Sequence, residues 1–180
     1  HPGSSEELGW LGHFAKKSSH LDTIQFLGGD IFKNCSKESV GRFFEDIARC
    51  NRIKKMYFNG TDLTDTICNL ENVMKNNSIS NITRLSVEEC YLGVPEAHSL
   101  FNIIRGMRKL EILSINCEDV DHGLDDDIMA GYIPSLAACT AMRDLDLICL
   151  GLSTRSCNAL GGIFHRMANL ALLTLYGNLI

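Results

Sequence analysis

No apolar stretch in this chain approaches the ~20 residues needed to span a bilayer, so a transmembrane helix is excluded. The opening residues, His1-Pro-Gly-Ser-Ser-Glu-Glu7, lack a charged segment followed by an apolar core, so they do not read as a signal peptide. Residues 1–7 are expected to be an N-terminal tail or a cloning remnant. An excess of basic charge is also missing: the net charge is −5 and the pI is 5.6. That argues against a nucleic-acid binder, which would carry a basic stripe. Catalytic signatures are absent as well. There is no Gly-x-Ser-x-Gly, no Gly-x-x-x-x-Gly-Lys and no Gly-x-Gly-x-x-Gly.

Eight cysteines are present, at 35, 50, 68, 90, 117, 139, 149 and 157, but never as Cys-x-x-Cys. Zinc sites usually pair ligands at two to four intervening residues because one knuckle presents both sulfurs. No metal or other cofactor is therefore expected. A chain of 180 residues buries enough core to dispense with disulfides. The cysteines thus read as reduced, mostly buried thiols, which points to the cytoplasm. Four sequons stand against that compartment and leave secretion open: Asn34-Cys-Ser36, Asn59-Gly-Thr61, Asn76-Asn-Ser78 and Asn81-Ile-Thr83.

What the sequence does contain is a repeat. Segments beginning at Leu21, Ile53, Ile82, Leu110, Met142 and Leu170 share one apolar template. Positions one, four, six and eleven are aliphatic, Met or Phe in all six, and the starts are separated by 32, 29, 28, 32 and 28 residues. Between these segments the apolar spacing becomes helical. Val40, Phe43, Phe44 and Ile47 share a face, as do Leu100, Ile103, Ile104 and Met107. Leu8, Leu11, Phe14 and Ala15 predict an opening helix of the same kind. Ser36, Pro95 and Ser153 or Thr154 stand where helix caps or first-turn residues belong. Gly161-Gly162, inside a helical pattern, is expected to ease close packing. Each unit is a short strand, a turn, a helix and a return. A helix between successive strands makes them parallel, and units this short must share a core with their neighbours.

The pattern Leu-x-x-Leu-x-Leu-x-x-Asn/Cys-x-Leu, clearest at Leu170–Ile180, resembles the leucine-rich repeat, ribonuclease-inhibitor-like subclass. The resemblance implies an α/β solenoid, or horseshoe, with a parallel sheet on the concave face and helices on the convex face. Residues 8–180 would form a single domain of about six repeats. It further implies that Thr61, Cys90 and Asn178, at position nine, hydrogen-bond turn backbone. Gly29, Glu118 and Leu150 depart from that pattern. The family is a binding scaffold with many partners, so it does not name a function.

Three local features invite a chemical reading. Cys90 with His98 suggests a thiol nucleophile, though a cysteine at position nine reads better as turn packing. The acidic run Glu118–Asp127 suggests a cation site, against a plainer reading as an enlarged turn whose Asp125–Asp127 start a helix. The basic cluster Arg49, Arg52, Lys54 and Lys55 reads as a solvated helix end.

Strand alternation is more informative. With positions four and six in the core, positions three, five and seven face the hollow. Tyr57, Arg84, Glu88, Asn116, Asp144, Asp146, Ile148 and Tyr176 are the candidate partner-binding residues. Aromatic and apolar side chains among separated charges suit a protein-binding surface. The expected function is a non-enzymatic protein-interaction module that binds its partner on the concave face, with neither nucleic acid nor membrane as partner. Two alternatives remain: a GTPase regulator resembling Ran GTPase activators, and a ligand-sensing fragment of a larger receptor or signalling protein. Ile180 ends the last template with no closing helix, which suggests a truncated array or end-to-end self-association.

Overall fold

A computed structural model describes residues 3–76, 81–117 and 124–180. The chain alternates helix and strand throughout. In order come α1 (Ser5–Lys17), β1 (Thr23–Gly29), α2 (Lys37–Ala48), β2 (Lys55–Thr61), α3 (Thr64–Asn76), β3 (Arg84–Glu88) and α4 (Val94–Gly106). Then follow β4 (Ile112–Asn116), α5 (Asp126–Tyr132) with a 3-10 turn (Ile133–Ala138), β5 (Asp144–Ile148), α6 (Thr154–Ile163) with a 3-10 turn (Phe164–Arg166), and β6 (Leu172–Thr174). The strands form one six-stranded sheet in sequence order, and every neighbouring pair is parallel. This is the α/β arrangement that the repeat template predicts.

Register follows the template residue for residue. Met56, Leu85, Leu113 and Leu145 stand side by side at position four; Phe58, Val87, Ile115 and Leu147 do so at position six. All eight are at most 1% exposed. Burying such a side chain contributes about 1.5–3 kcal/mol each, and here each one is covered by the neighbouring repeats as well as by its own helix. One hydrogen-bond motif recurs at every junction. The position-two carbonyl accepts from two successive N–H groups of the next strand, as when Asp22 receives Lys54 at 2.8 Å and Lys55 at 3.1 Å.

The two ends are packed differently. Phe26, Phe32, Phe43, Phe44 and Phe58 fill the first repeats, with Phe26 and Phe58 stacked 4.9 Å apart. In the last repeat, Leu173 and Ile180 are exposed although they occupy core positions of the template. The opening helix also differs from expectation. Leu8 and Ala15 are buried, whereas Leu11 and Phe14 are exposed beside Trp10. The close approach of α1 to α2 runs over Gly12, where a Cβ would sit 3.3 Å from the Phe43 ring. That line of contact admits one edge of the helix and leaves the other outside. Gly161 and Gly162 play no such role, since a Cβ at either would meet nothing within 4 Å.

Turn chemistry completes the frame. Position eight is left-handed at Gly28, Gly60, Glu89, Cys149 and Gly177, a conformation that side chains with a Cβ resist. At Gly177 a side chain would be strained by the left-handed backbone, and its Cβ would lie 2.2 Å from Cys149 Sγ, which would have to move. At position nine, Asn178 Oδ1 accepts from Leu150 N and Leu152 N at 2.9 and 3.1 Å, while Nδ2 donates to the Leu147 and Leu175 carbonyls at 2.7 and 2.9 Å. Thr61 Oγ1 donates to the Phe26 carbonyl at 3.0 Å, and Cys90 Sγ receives Thr61 N at 3.4 Å.

The described end of the acidic run is structural. Asp125 caps α5 through Ile128 N at 2.8 Å. Asp126 reaches across to the next helix. Its carboxylate accepts from Ser153 N, Arg155 N and Ser156 N at 2.8–3.0 Å. Ser153 occupies the N-cap position of α6 but makes no side-chain cap bond, so a carboxylate from the preceding repeat caps that helix. Contact with Ser156, together with these main-chain donors, holds the Asp126 carboxyl well below the usual carboxylate range. Residues 118–123, the first part of the Glu118–Asp127 run that suggests a cation site, lie outside the described residues.

Two outcomes follow from this packing. Leu145→Ala should lower unfolding free energy by about 2–5 kcal/mol in chemical denaturation, while Asp144→Ala on the same strand changes it little. A depressed folded pKa adds stability above the unfolded value and loses it as pH falls toward the folded one. The melting temperature of wild type should therefore exceed that of Asp126→Ala at neutral pH. The gap should narrow as pH drops below about 4, the unperturbed Asp value; a gap constant with pH would remove the carboxylate from this role.

Candidate functional site

Alternation along the strands leaves one face of the sheet without helices. Register arranges that open face in three rows running across the strands. Position three carries Thr23, Lys55, Arg84, Ile112, Asp144 and Leu172. Position five carries Gln25, Tyr57, Ser86, Ser114, Asp146 and Thr174. In the seventh-position row, Leu27, Asn59, Glu88, Asn116 and Ile148 are aligned, with Tyr176 next along the chain from β6.

Seven of the eight candidate residues lie in these rows, in two groups, and Tyr176 follows two residues beyond β6. On β2 and β3, the Arg84 guanidinium sits over the Tyr57 ring, 5.7 Å from its centroid. Beside them the buried Ser86 hydroxyl donates to Glu88 Oε1 at 2.5 Å. Toward β5, Asn116 is in register with Ile148, and Asp144 and Asp146 stand two residues apart on one strand. Tyr176 and Arg84 are the exposed members of the eight. Arg84 and Asp144 share a row but are two strands apart, with Ile112 between them. At about 4.8 Å per strand their Cα atoms are roughly 10 Å apart, and Arg84 is engaged with Tyr57, on the side away from β5.

Among the described residues, one buried side-chain oxygen is unsatisfied. Asp146 Oδ1 is buried and has no hydrogen-bond partner among the described residues. An acceptor left in that state costs about 1–3 kcal/mol, more when charged. Its row neighbours are Ser114 and Thr174, and sequence reasoning had named neither as a site residue.

Outside this face, the described residues that invite a chemical reading take part in local packing and hydrogen bonding. Cys90 Sγ donates to the Glu88 carbonyl at 3.2 Å, while the His98 ring packs against Tyr132 with centroids 6.0 Å apart. The two residues do not form a nucleophile–base pair. Burial raises the Cys90 thiol, against hydrogen bonds from backbone groups that lower it. Burial pushes Cys117 up to about 12, with Cys90 and Cys149 adding to the effect, and Cys139 also to about 12. All eight cysteines are free thiols. Among the described residues no group of His, Cys, Asp or Glu is placed to hold a metal ion, and no helix is long and apolar enough to cross a membrane. Of the sequons, Asn34 is exposed and Asn59 lies on the open face. Asn81 is engaged with the Asn51 carbonyl and Lys109. The Asn76 side chain and residues 77–80 lie outside what the structure describes.

Thiolates, not thiols, are alkylated. Iodoacetamide at pH 8 should therefore leave Cys117 and Cys139 unmodified in the native protein and label them after denaturation, as read by mass spectrometry. Fast native labelling of Cys90 would reopen the nucleophile reading.

No protein-family model matches the chain, and no curated protein matches it in sequence. Solved structures do share its fold. A structure titled leiomodin-1 actin-binding site 2 superposes with a TM-score of 0.62 at 13% identity, over 88% of this chain and 86% of that one. The C-terminal domain of tropomodulin from Caenorhabditis elegans gives 0.57 at 13% identity, over 88% and 94%. These likenesses correct the expectation of a ribonuclease-inhibitor-like subclass. The chain shares its strand–helix repeat with tropomodulin-type domains instead. Physical departures agree with that correction: the repeats vary between 28 and 32 residues, and α5 is a seven-residue helix continued by a 3-10 turn.

Proposed function

We propose that this chain is a non-enzymatic protein-interaction module whose open sheet face grips a protein partner. Helices are about 10 Å wide and strands about 4.8 Å apart, so stacking curves the sheet with the open face inside, as in a horseshoe. The observation that carries the reading is the composition of that face. Tyr57, Ile112, Ile148, Leu172 and Tyr176 are interleaved with basic residues on β2 and β3 and with acidic ones on β3 (Glu88) and β5. Lys55 and Arg84 lie toward the first half, Asp144 and Asp146 toward the second. The partner accordingly presents an acidic patch to β2 and β3 and a basic patch to β5. Tyr57, Arg84, Glu88, Asn116, Asp144, Asp146, Ile148 and Tyr176 are the contact residues, with the two tyrosines as rigid anchors. Eight free thiols, four of them buried, suit a reducing compartment such as the cytoplasm.

Actin is the first partner to test, because the leiomodin-1 structure that shares the fold is titled an actin-binding site. Binding to actin monomers and filaments would be measured by anisotropy and co-sedimentation. A pull-down with the isolated domain supplies other partners if actin does not bind. Tyr176→Ala, or Asp144→Ala with Asp146→Ala, should weaken binding by about 1–4 kcal/mol with little change in melting. Substitutions on the outer surfaces of α2 and α4 that abolish binding, with open-face variants unaffected, would move the site to the helices.

A further inference from the structure

The sheet runs in order from β1 to β6, so β1 presents an outer edge, and the helix ahead of it is matched by no described strand. We infer that this edge binds an extended segment of a partner protein, which joins the sheet as a strand parallel to β1. The segment carries an apolar residue at every second position and basic residues where it leaves. The inference does not rest on the open-face reading, because it uses the edge of the sheet and not its face.

Three observations meet at that edge. The first is an incomplete repeat. α1 packs on α2 as α2 packs on α3, and residues 18–22 lead from α1 to β1 as residues 107–111 lead from α4 to β4. α1 thus stands where the helix of a preceding unit belongs, while no described residue occupies the strand position beside β1. The second is the main chain. The Asp22 and Phe26 carbonyls point toward β2, where they accept from Lys55 N at 3.1 Å and Thr61 Oγ1 at 3.0 Å. Main-chain groups alternate in direction along a strand. Those of Thr23, Gln25 and Leu27 therefore point to the outer edge, where no described strand pairs with them. The third is a groove of about 280 Å³ between α1 and β1, lined by Leu8, Leu11, Ile24, Phe26, Leu27 and Ile31. Leu11 and Leu27 are 53% and 58% exposed. Ile24 is only half-buried, although it shares its template position with the fully buried Met56.

These features select a strand over other occupants. Alternating unpaired N–H and C=O groups match another main chain, and an extended segment that meets them sends every second side chain into the groove. A helix laid there would satisfy its own main chain and leave the edge unpaired. Thr23–Gly29 contains no proline and no charge, the devices that usually keep an edge strand from pairing. Burial, then the charges of Glu7 and Asp30, raise the Cys35 thiol. Those two carboxylates converge where β1 ends, so basic residues suit a segment leaving the slot at that end. A second copy of this chain offers less, since its opposite edge, β6, is three residues long against seven in β1.

The test titrates the 15N-labelled chain with acetyl-Thr-Leu-Thr-Leu-Thr-Lys-Lys-amide and follows it by NMR. The peptide should shift the amides of Thr23, Gln25 and Leu27 saturably and slow their exchange with solvent. In this chain's own ladder the core-facing residues turn their main-chain groups to the following strand, as Phe26 does. N-methylation of both leucines should therefore weaken binding about tenfold or more, while N-methylation of the threonine that follows each of them should change it little. Leu11→Ser should also weaken it about tenfold with the melting temperature kept, and Leu27→Ser is the second variant. Replacing the two peptide lysines by glutamates should weaken it as well. Equal binding of a scrambled peptide without alternation, indifference to leucine N-methylation, shifts centred elsewhere, or no saturable shift at millimolar peptide would overturn the inference. Concentration-dependent shifts at β1 and β6 in the chain alone would assign the edge to a second copy and overturn it equally.

Discussion

No repeat in this protein can bury its own apolar frame, and everything else depends on that constraint. Positions one, four and six of each central repeat are covered only when a neighbour lies on either side; from Ile53 to Leu147 they are at most 2% exposed. At Leu173, in the last of the six segments, the same template position is exposed. Stability is therefore shared along the stack, as in other arrays whose units contact only the next. The main-chain motif at position two and the carboxylate bridge from Asp126 to α6 are two further ways in which one repeat completes the next.

The same constraint produces the open face. Because positions four and six are committed to the core, positions three, five and seven have no freedom to join it. Their side chains are held in rows by a register that the core sets, so residues far apart in sequence, such as Tyr57 and Asp146, stand in one line. These positions can vary in chemistry without disturbing the frame. That separation lets one scaffold carry many recognition surfaces and makes fold likeness a poor guide to partner identity.

The frame was legible in the sequence because its signal repeats: six parallel strands, their order and the open-face residues all follow from one apolar template. Single-residue events were less legible. The exposure of Leu11 and Phe14 depends on how α1 meets α2 across Gly12, which helical periodicity alone does not report. Ser153 has the right identity and place for a cap, yet Asp126, 27 residues earlier, performs the capping. The left-handed turn at position eight is carried by glycine in three repeats but by Glu89 and Cys149 in two others, so composition hides it. Alternation marks Ser114 and Thr174 only as open-face positions; that Asp146 between them carries a buried oxygen without a partner among the described residues is a matter of side-chain placement that the sequence does not report.

Native-state hydrogen exchange on Leu113→Ala, in the middle of the sheet, tests the shared core most directly. Protection of the main-chain amides should fall together in β3, β4 and β5, with a smaller effect in β1. Loss confined to β4, with β3 and β5 as protected as in wild type, would mean that each repeat is stable by itself and would contradict the account.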